Sequence, residues 1–544
     1  MKFKYIIILA VSFQFLVSCD TILDVEDNLA ESGALNDQLL FSSEQNIEEV
    51  LNGVFAKYAS EFYQGGNFLQ MTSSHNPYFA GTGARGLEFG QFNISPSSKN
   101  LNDTWVEIYS CIDNANNFII KVNSLAPNFS NTTTVLGQAK FLRALAYFDL
   151  VRVWGEVPLR LDLATEATLF LPKSSKEEIY NQIIKDLTEA TSELPSQPYA
   201  TGRPLSYAAQ GYLAKVYMQM ASETGLSKTP QEYWELAFQN AKAVYDAKAY
   251  SLLPNYADLF AEGNENTVES IFELQFVSTG TSTKSGQHST IFSPQRSIYN
   301  QRNQGGQVRV NRLALHDHYL DYNVGIKDNH PDSRIDATYV KDTYTEIVAP
   351  NRKRKIYPTQ FSGGFAVNFI KKYAESNNTN INSEKNRIVF RYADLLLMLA
   401  EIENERGNTV LSKGYIKEVL DRAEPTLYAK ANIDAIAGGD DLRLRIAKER
   451  IYELLGEGFE WFDLRRIKIN NTTFLENRIQ RRQALMTGAD LFDTKNKTKY
   501  HNIWNPNLSF VVGNELTKNL LFPIPVNEII GNNNLTNADQ NPGY

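Results

Sequence analysis

The sequence predicts a mainly α fold: helical hairpins packed in the tetratricopeptide manner, interrupted by long loop-rich insertions. Three observations lead there. Apolar side chains recur at helical spacing through several long segments. Small residues fall where paired helices must cross, which lets their backbones approach. Between the helical blocks the composition turns to Gly, Ser, Thr and Asn, with only short extended runs.

Residues 63–100 come first as loop, with glycines at 65, 66, 81, 83, 86 and 90 among aromatics. The segment VLGQAKFLRALAYFDLVRVW, 135–154, sets Leu136, Ala139, Leu142, Tyr147, Leu150 and Val151 near one face and leaves Lys140, Arg143 and Arg152 for solvent or partners. Gly155 and Pro158 stop that helix. A helical hairpin follows: SYAAQGYLAKVYMQMA from Ser206, a turn holding Gly225, Ser227, Thr229 and Pro230, then EYWELAFQNAKAVYDA. Ala214, Ala237 and Ala241 mark its crossing, although the spacing does not keep a strict 34-residue repeat. Residues 262–385 form a loop-rich insertion with extended runs at 270–277 and 353–357, and long irregular segments in a helical protein commonly carry function. A second hairpin spans 392–423, the last repeats run over 388–466, and the tail 467–544 is expected to be mostly irregular.

Hydrophobic residues at 42% and charged residues at 21% describe an ordinary globular chain, and no apolar run after the first twenty residues reaches the length of a membrane span. The net charge of −8 argues against nucleic acid as a partner, since phosphate binding needs a basic surface. The opening MKFKYIIILAVSFQFLVSCD has the parts of an export signal: Lys2 and Lys4, an apolar core at 5–17, and Leu16-Val17-Ser18-Cys19 as the cut site. A cysteine at the cut resembles a bacterial lipoprotein signal, in which residues 1–18 are removed and the Cys19 thiol carries a diacylglycerol. At about 0.8 kcal/mol per buried methylene, two or more acyl chains hold a protein on a membrane where one does so marginally. An ordinary cleaved signal with a coincident cysteine is the alternative. With Cys19 lipidated, Cys111 has no partner for a disulfide, and its apolar neighbours suit a buried thiol.

Several separated blocks resemble one family. They are TWVEIYSCIDNANNFI (104–119), KFLRALAYFDLVRVWGEVPL (140–159), GRPLSYAAQGYLAKVYM (202–218), HPDSRIDATY (330–339), RYADLLLMLAEIENERGN (391–408), ERIYELLGEGFEWFDLRR (449–466) and LLFPIPVNEIIGNNNLTNADQNPGY (520–544). In this order they are similar to the signature blocks of the SusD/RagB family and span nearly all of the chain beyond the signal. The resemblance implies a right-handed α-α superhelix of tetratricopeptide type. It divides the chain into a SusD-like region at 19–230 and a RagB/SusD region at 265–544. It also implies a cell-surface lipoprotein of the outer membrane that binds a glycan for a SusC-like TonB-dependent transporter. Two departures stand out, Asp421-Arg422-Ala423-Glu424-Pro425 and Glu460, and both are expected to change salt-bridge partners locally.

The family's ligand face varies between members, so the resemblance gives regions rather than a residue code. Those regions correspond here to 75–89 and 292–322. Tyr78 and Phe79 are the candidate stacking platforms and Asn76 and Arg85 the polar partners, joined by Phe292, Arg296, Tyr299 and Tyr322 from the second segment. Loss of Tyr78 and Phe79 is then expected to weaken binding with little change in melting temperature. Tryptophans 105, 154, 234 and 461 lie in helical scaffold, and neither ligand segment holds one, which favours a small, branched or charged glycan, or a peptide. Glu449, Arg450, Glu453, Glu457, Asp463, Arg465 and Arg466 alternate in sign and are assigned to a charge network within the fold. His316-Asp317-His318, with Asp328, His330, Asp332 and Asp336 after it, lacks the pattern of a metal site, and Asp332 and Arg334 are expected to pair or to cap a turn. No metal, cofactor or catalytic residue is expected. An α/α glycoside hydrolase and a repeat scaffold without a ligand remain the alternatives.

Overall fold

A computed structural model describes residues 36–81, 88–90, 92–166, 168–276, 286–292, 307–310, 312–324, 329–340, 344–349, 352–356, 369–375, 383–487, 518 and 520–544. Cys19, expected to carry the lipid anchor, lies outside them. The first helices are α1 (Glu44–Tyr58), α2 (Asn67–Ser74), α3 (Lys99–Leu125), α4 (Thr132–Trp154), α5 (Lys176–Glu193), α6 (Ser206–Ala221) and α7 (Pro230–Asp246). Their starts are set by side chains that accept otherwise orphaned backbone N–H groups. Ser175 and Thr229 each form a reciprocal capping box, with Glu178 and Glu232, and Pro230 sits in the first turn where its missing N–H costs nothing. Gly155 ends α4 at φ 76°, a conformation that favours glycine.

The early loop contributes β1 (Phe79–Gly81), the loop-rich insertion β2 (Ser270–Leu274), β3 (Val308–Val310), α8 (Arg312–Leu320), α9 (Ser333–Thr338), β4 (Tyr344–Ala349) and β5 (Arg352–Ile356), and β6 (Arg387–Arg391) follows it. Each strand joins one antiparallel partner: β1 with β3, β2 with β6, β4 with β5. The last repeats are α10 (Tyr392–Glu405), α11 (Thr409–Ala423), α12 (Asp440–Leu454) and α13 (Glu460–Arg466). Helices pack in a row, α3 on α4, α4 on α5, α5 on α6, α6 on α7, α7 on α10, and α10 on both α11 and α12. Ala214, Ala237 and Ala241 are fully buried at the α6/α7 crossing. The architecture is the expected one, a mainly helical row of hairpins.

The side chains of α4 depart from the amphipathic expectation. Arg143 is buried, paired through two nitrogens with Asp186 of α5 at 2.7 and 2.8 Å and bonded to Asn116 of α3 at 2.8 Å. Arg152 bonds Asp149 and lies over the rings of Phe148 and Phe462 at 4.0 and 3.8 Å. Lys140, paired with Glu189 and Glu193, and Arg152 keep slight contact with solvent. Because α4 has a neighbour on both sides, its charged positions face other helices and not water.

The alternating charges of 449–466 form a largely buried network whose partners come from across the chain, except that Arg465 donates to the carbonyls of Arg152 and Leu520. Arg391, at the end of β6, donates to Glu269 at 2.9 Å, to Glu453 at 2.6 Å and to Glu457 at 2.8 Å. Arg334 of α9 reaches Asp332, Glu449 and Glu453. Arg422 of α11 reaches Glu269 and Glu453, and Lys372 holds Glu457 at 2.7 Å. Asp332 also caps α9, so both roles expected of the Asp332/Arg334 pair occur together. Arg422 thus gives the first family departure a salt-bridge role. A second cluster ties α6, α10, α12 and α13 through Lys215 to Asp394, Asp394 to Arg450, and Arg450 to Asp463.

Glu460 behaves differently from the salt-bridge change expected of it. One carboxylate oxygen accepts the Gly456 N–H, the other is buried without a partner among the described residues, and burial pushes the carboxyl up to about 7. Beside it the chain leaves α12 through Gly456 and Gly458, both at positive φ.

Among its described residues the tail holds more regular structure than its composition suggests. After the β7 (Lys468–Ile469) and β8 (Thr472–Thr473) hairpin comes α14 (Phe474–Thr487), and 520–544 fold back on the end of α4. There the Phe522 N–H donates to Val153 O, Trp154 Nε1 donates to Pro523 O, and Asn541 donates to the carbonyls of Trp154 and Phe522.

Three tests follow from these charges. Arg391→Met strips cations from three buried carboxylates and should cost about 3–5 kcal/mol in urea denaturation; a loss below about 1 kcal/mol would mean the network relaxes around the gap. Burial pushes Asp394 up, but Lys215 and Arg450 outweigh it and hold the carboxyl at about 2. Its stabilisation is therefore complete above its unfolded value near 3.8 and is lost as pH falls from about 4 to 2, which Lys215→Met should flatten. For Glu460 the sign reverses. A raised carboxyl costs stability as pH climbs from 4.5 to about 7, so Glu460→Gln should gain roughly 2–3 kcal/mol at pH 8 and little at pH 4.

Candidate functional site

The two segments read as ligand loops are brought together. β1 and β3 pair antiparallel with Phe79 opposite Val310 and Gly81 opposite Val308, so 75–89 and 292–322 share one floor. The named side chains, however, build that floor and do not face outward. Asn76 closes an Asx turn: its Oδ1 accepts the Tyr78 N–H at 2.8 Å and its Nδ2 donates to Ser73 O at 2.7 Å. Tyr78 is 1% exposed, burial raises its phenol, and Arg478 of α14 hydrogen-bonds it. Phe79 packs on Phe292 at 5.8 Å, and Phe292 stacks on Tyr373 at 5.6 Å. The Tyr322 hydroxyl donates to Glu449 at 2.6 Å and accepts from Arg334 and Arg445, which places it in the charge network. None of Asn76, Tyr78, Phe79, Phe292 and Tyr322 offers a face to solvent, since helices α2 and α14 and the second segment cover them. Arg85, Arg296 and Tyr299 lie outside the described residues.

A separate cleft of about 1200 Å³ opens between the C-terminal half of α1, α3, the turn at 201–203 and the end of β2. Phe55 and Phe62 lie half-buried in its wall beside Asn52, Glu61, Asn114, Glu273 and Gln275. Its two cations are engaged, Lys57 with Glu107 at 3.5 Å and Arg203 with Glu48 at 3.3 Å. Sequence reasoning missed it. Phe62 stands directly before the loop-rich segment 63–100, thirteen positions ahead of the expected ligand region, and Arg203 belongs to a block read only as scaffold.

Elsewhere the reactive groups are occupied. The 316–318 segment is helical, and His318 hydrogen-bonds Asp332 at 2.8 Å with its imidazole pKa lowered by burial. Among the described residues no three His, Cys, Asp or Glu side chains converge as metal ligands. Glu449, Glu453, Glu457 and Asp463 are buried and bound by cations, so they do not face a cleft as a pair of hydrolytic carboxylates. Cys111 is buried, and desolvation raises its thiol far above the usual range.

Comparison with known proteins agrees with this architecture. A sequence model described as the SusD family matches residues 268–544. The chain belongs to the SusD/RagB family. A second model, described as starch-binding associating with outer membrane, matches 23–218. Among SusD-like relatives, SusD-like protein P2 of Formosa agariphila is 26% identical over 99% of this chain and 100% of its own length. A SusD homologue of Bacteroides thetaiotaomicron shares the fold with a TM-score of 0.76 at 20% identity, covering 94% of this chain and 99% of that one. A laminarin-binding SusD-like protein does so with a TM-score of 0.64 at 21% identity over 92% and 100%.

With Phe79 inside the floor, the expected phenotype of its loss changes. Phe79→Ala should lower stability by about 3–5 kcal/mol in chemical denaturation, the range for emptying a buried ring. A loss under about 1 kcal/mol would return Phe79 to the surface.

Proposed function

We propose that this protein binds a glycan at the cell surface and delivers it to a SusC-like TonB-dependent transporter, held to the outer membrane by lipid on Cys19. The observation that carries the reading is the pair of family matches, one of them described as starch-binding associating with outer membrane, which together take in both halves of the chain. The laminarin-binding neighbour supports a saccharide as the ligand class. The Lys2/Lys4 start, the apolar stretch and the cysteine at 19 support the anchor. With the other named aromatics committed to packing, Arg85, Arg296 and Tyr299 are the remaining candidates for hydroxyl contacts and stacking on the ligand loops.

Electrophoresis of the purified protein through gels containing laminarin, xyloglucan or other polysaccharides should show retardation by at least one of them, with no new reducing ends. Retardation by none would overturn the glycan reading, and steady release of reducing ends would make the protein a hydrolase. Cys19→Ala should fold normally yet leave the outer-membrane fraction in cells lacking the partner transporter. Full retention in that background would remove the lipid anchor.

A further inference from the structure

We propose that the cleft between α1, α3 and the 201–203 turn is a second saccharide subsite, one that takes a neutral oligosaccharide and excludes an anionic one. The proposal rests on the glycan reading above and adds a place and a charge class to it. None of the cleft's described lining residues belongs to 75–89 or 292–322, and the subsite is separate from the β1–β3 floor.

The volume, about 1200 Å³, exceeds the few hundred to about 1,000 Å³ usual for small-ligand pockets and leaves room for several sugar rings. The wall combines the two chemistries a sugar needs. Phe62 supplies a ring face for the apolar side of a pyranose beside Phe55, whose ring the Arg203 guanidinium covers, and Asn52, Asn114, Glu61 and Glu273 supply acceptors and donors for hydroxyls. Parts of the wall are fixed in advance. The Arg203 guanidinium lies 4.5 Å over the Phe55 ring and donates to Asn52 Oδ1 at 2.5 Å. Gln275 is held by Asn266 at 2.9 Å and by Asn386 at 2.8 Å. Gly202, at φ 73°, lets the Gln275 side chain lie against the turn, where a Cβ would come within 2.2 Å of it.

Charge decides the class. Lys57 and Arg203 are already balanced by Glu107 and Glu48, which leaves the Glu61 carboxylate in surplus. Burial pushes Glu273 up to about 7, a carboxyl that exchanges hydrogen bonds readily with neutral hydroxyls. A uronate or sulfate would meet that acidic excess with no cation released to receive it. A neutral chain meets hydrogen-bonding groups and a ring at no cost in charge. Two separate contacts on one polysaccharide would also raise its avidity without tightening either one.

Hydrogen exchange on the intact protein tests this with laminarin oligosaccharides, xylogluco-oligosaccharides and oligogalacturonate as probes, beside gel retardation by the parent polysaccharides. At least one neutral probe should slow exchange at 52–62 and 201–203, and oligogalacturonate should not. Phe62→Ala, with an unchanged melting temperature, should weaken that neutral probe by about three- to tenfold. Retardation by a glycan without protection of those segments would overturn the subsite and leave the glycan function standing. Protection by oligogalacturonate would overturn the charge rule. Neither retardation nor protection by any probe would overturn both readings.

Discussion

The burial of Glu453 between three arginines is the constraint around which the molecule is organised. Arg334, Arg391 and Arg422 come from α9, the end of β6 and α11, and they meet one carboxylate of α12. An ion taken out of water loses several kcal/mol of solvation, which is recovered only if every partner arrives in good geometry. The loop-rich insertion and the last repeats must therefore dock together or not at all. A purely apolar contact would tolerate a sliding insertion, whereas these bonds admit one placement. Glu269, shared by Arg391 and Arg422, fixes the start of β2 in the same way.

That rigidity explains how a protein with short two-stranded sheets can carry long loops. The β1–β3 pair is three residues long and would be marginal alone. It is held from beneath, by Tyr78 against Arg478 and by the Phe79–Phe292–Tyr373 stack, while Tyr322 anchors the second segment to Glu449. The described parts of the two segments thus form a base whose side chains are spent on packing.

The helical frame was legible in the sequence because its signals are local. Glycine and proline end α4, and capping residues begin α7, within a few residues of where periodicity places them. The ionic character of 449–466 was legible too, but its partners were not, because Arg334 and Arg391 lie far away in sequence. For the site, the resemblance supplied two segments that the β1–β3 pairing brings together, and the reading misjudged the direction of their described side chains. A strand of three residues has no period to show which side faces in, so Tyr78 and Phe79 looked the same exposed or buried. The charged helix α14 was hidden by its own composition, with Arg478, Arg481 and Arg482 diluting the apolar signal of Phe474, Leu475 and Ile479. The cleft was missed for a further reason: its walls are assembled from four distant stretches, none of them unusual.

The return of 520–544 to α4 imposes an order of events on synthesis. Phe522 fills the space between His75, Phe89 and Trp461, with ring centroids 5.0, 5.6 and 4.6 Å away. The helical hairpins can form as the chain emerges, yet that aromatic chamber stays open until residue 522 arrives. A ribosome or a translocation channel still holding this stretch therefore holds a protein with an unsealed interior, wet around Trp154 and Trp461 and exposed to chaperones and proteases. Maturation ends with one late closure, and quality control has a single place to look for it.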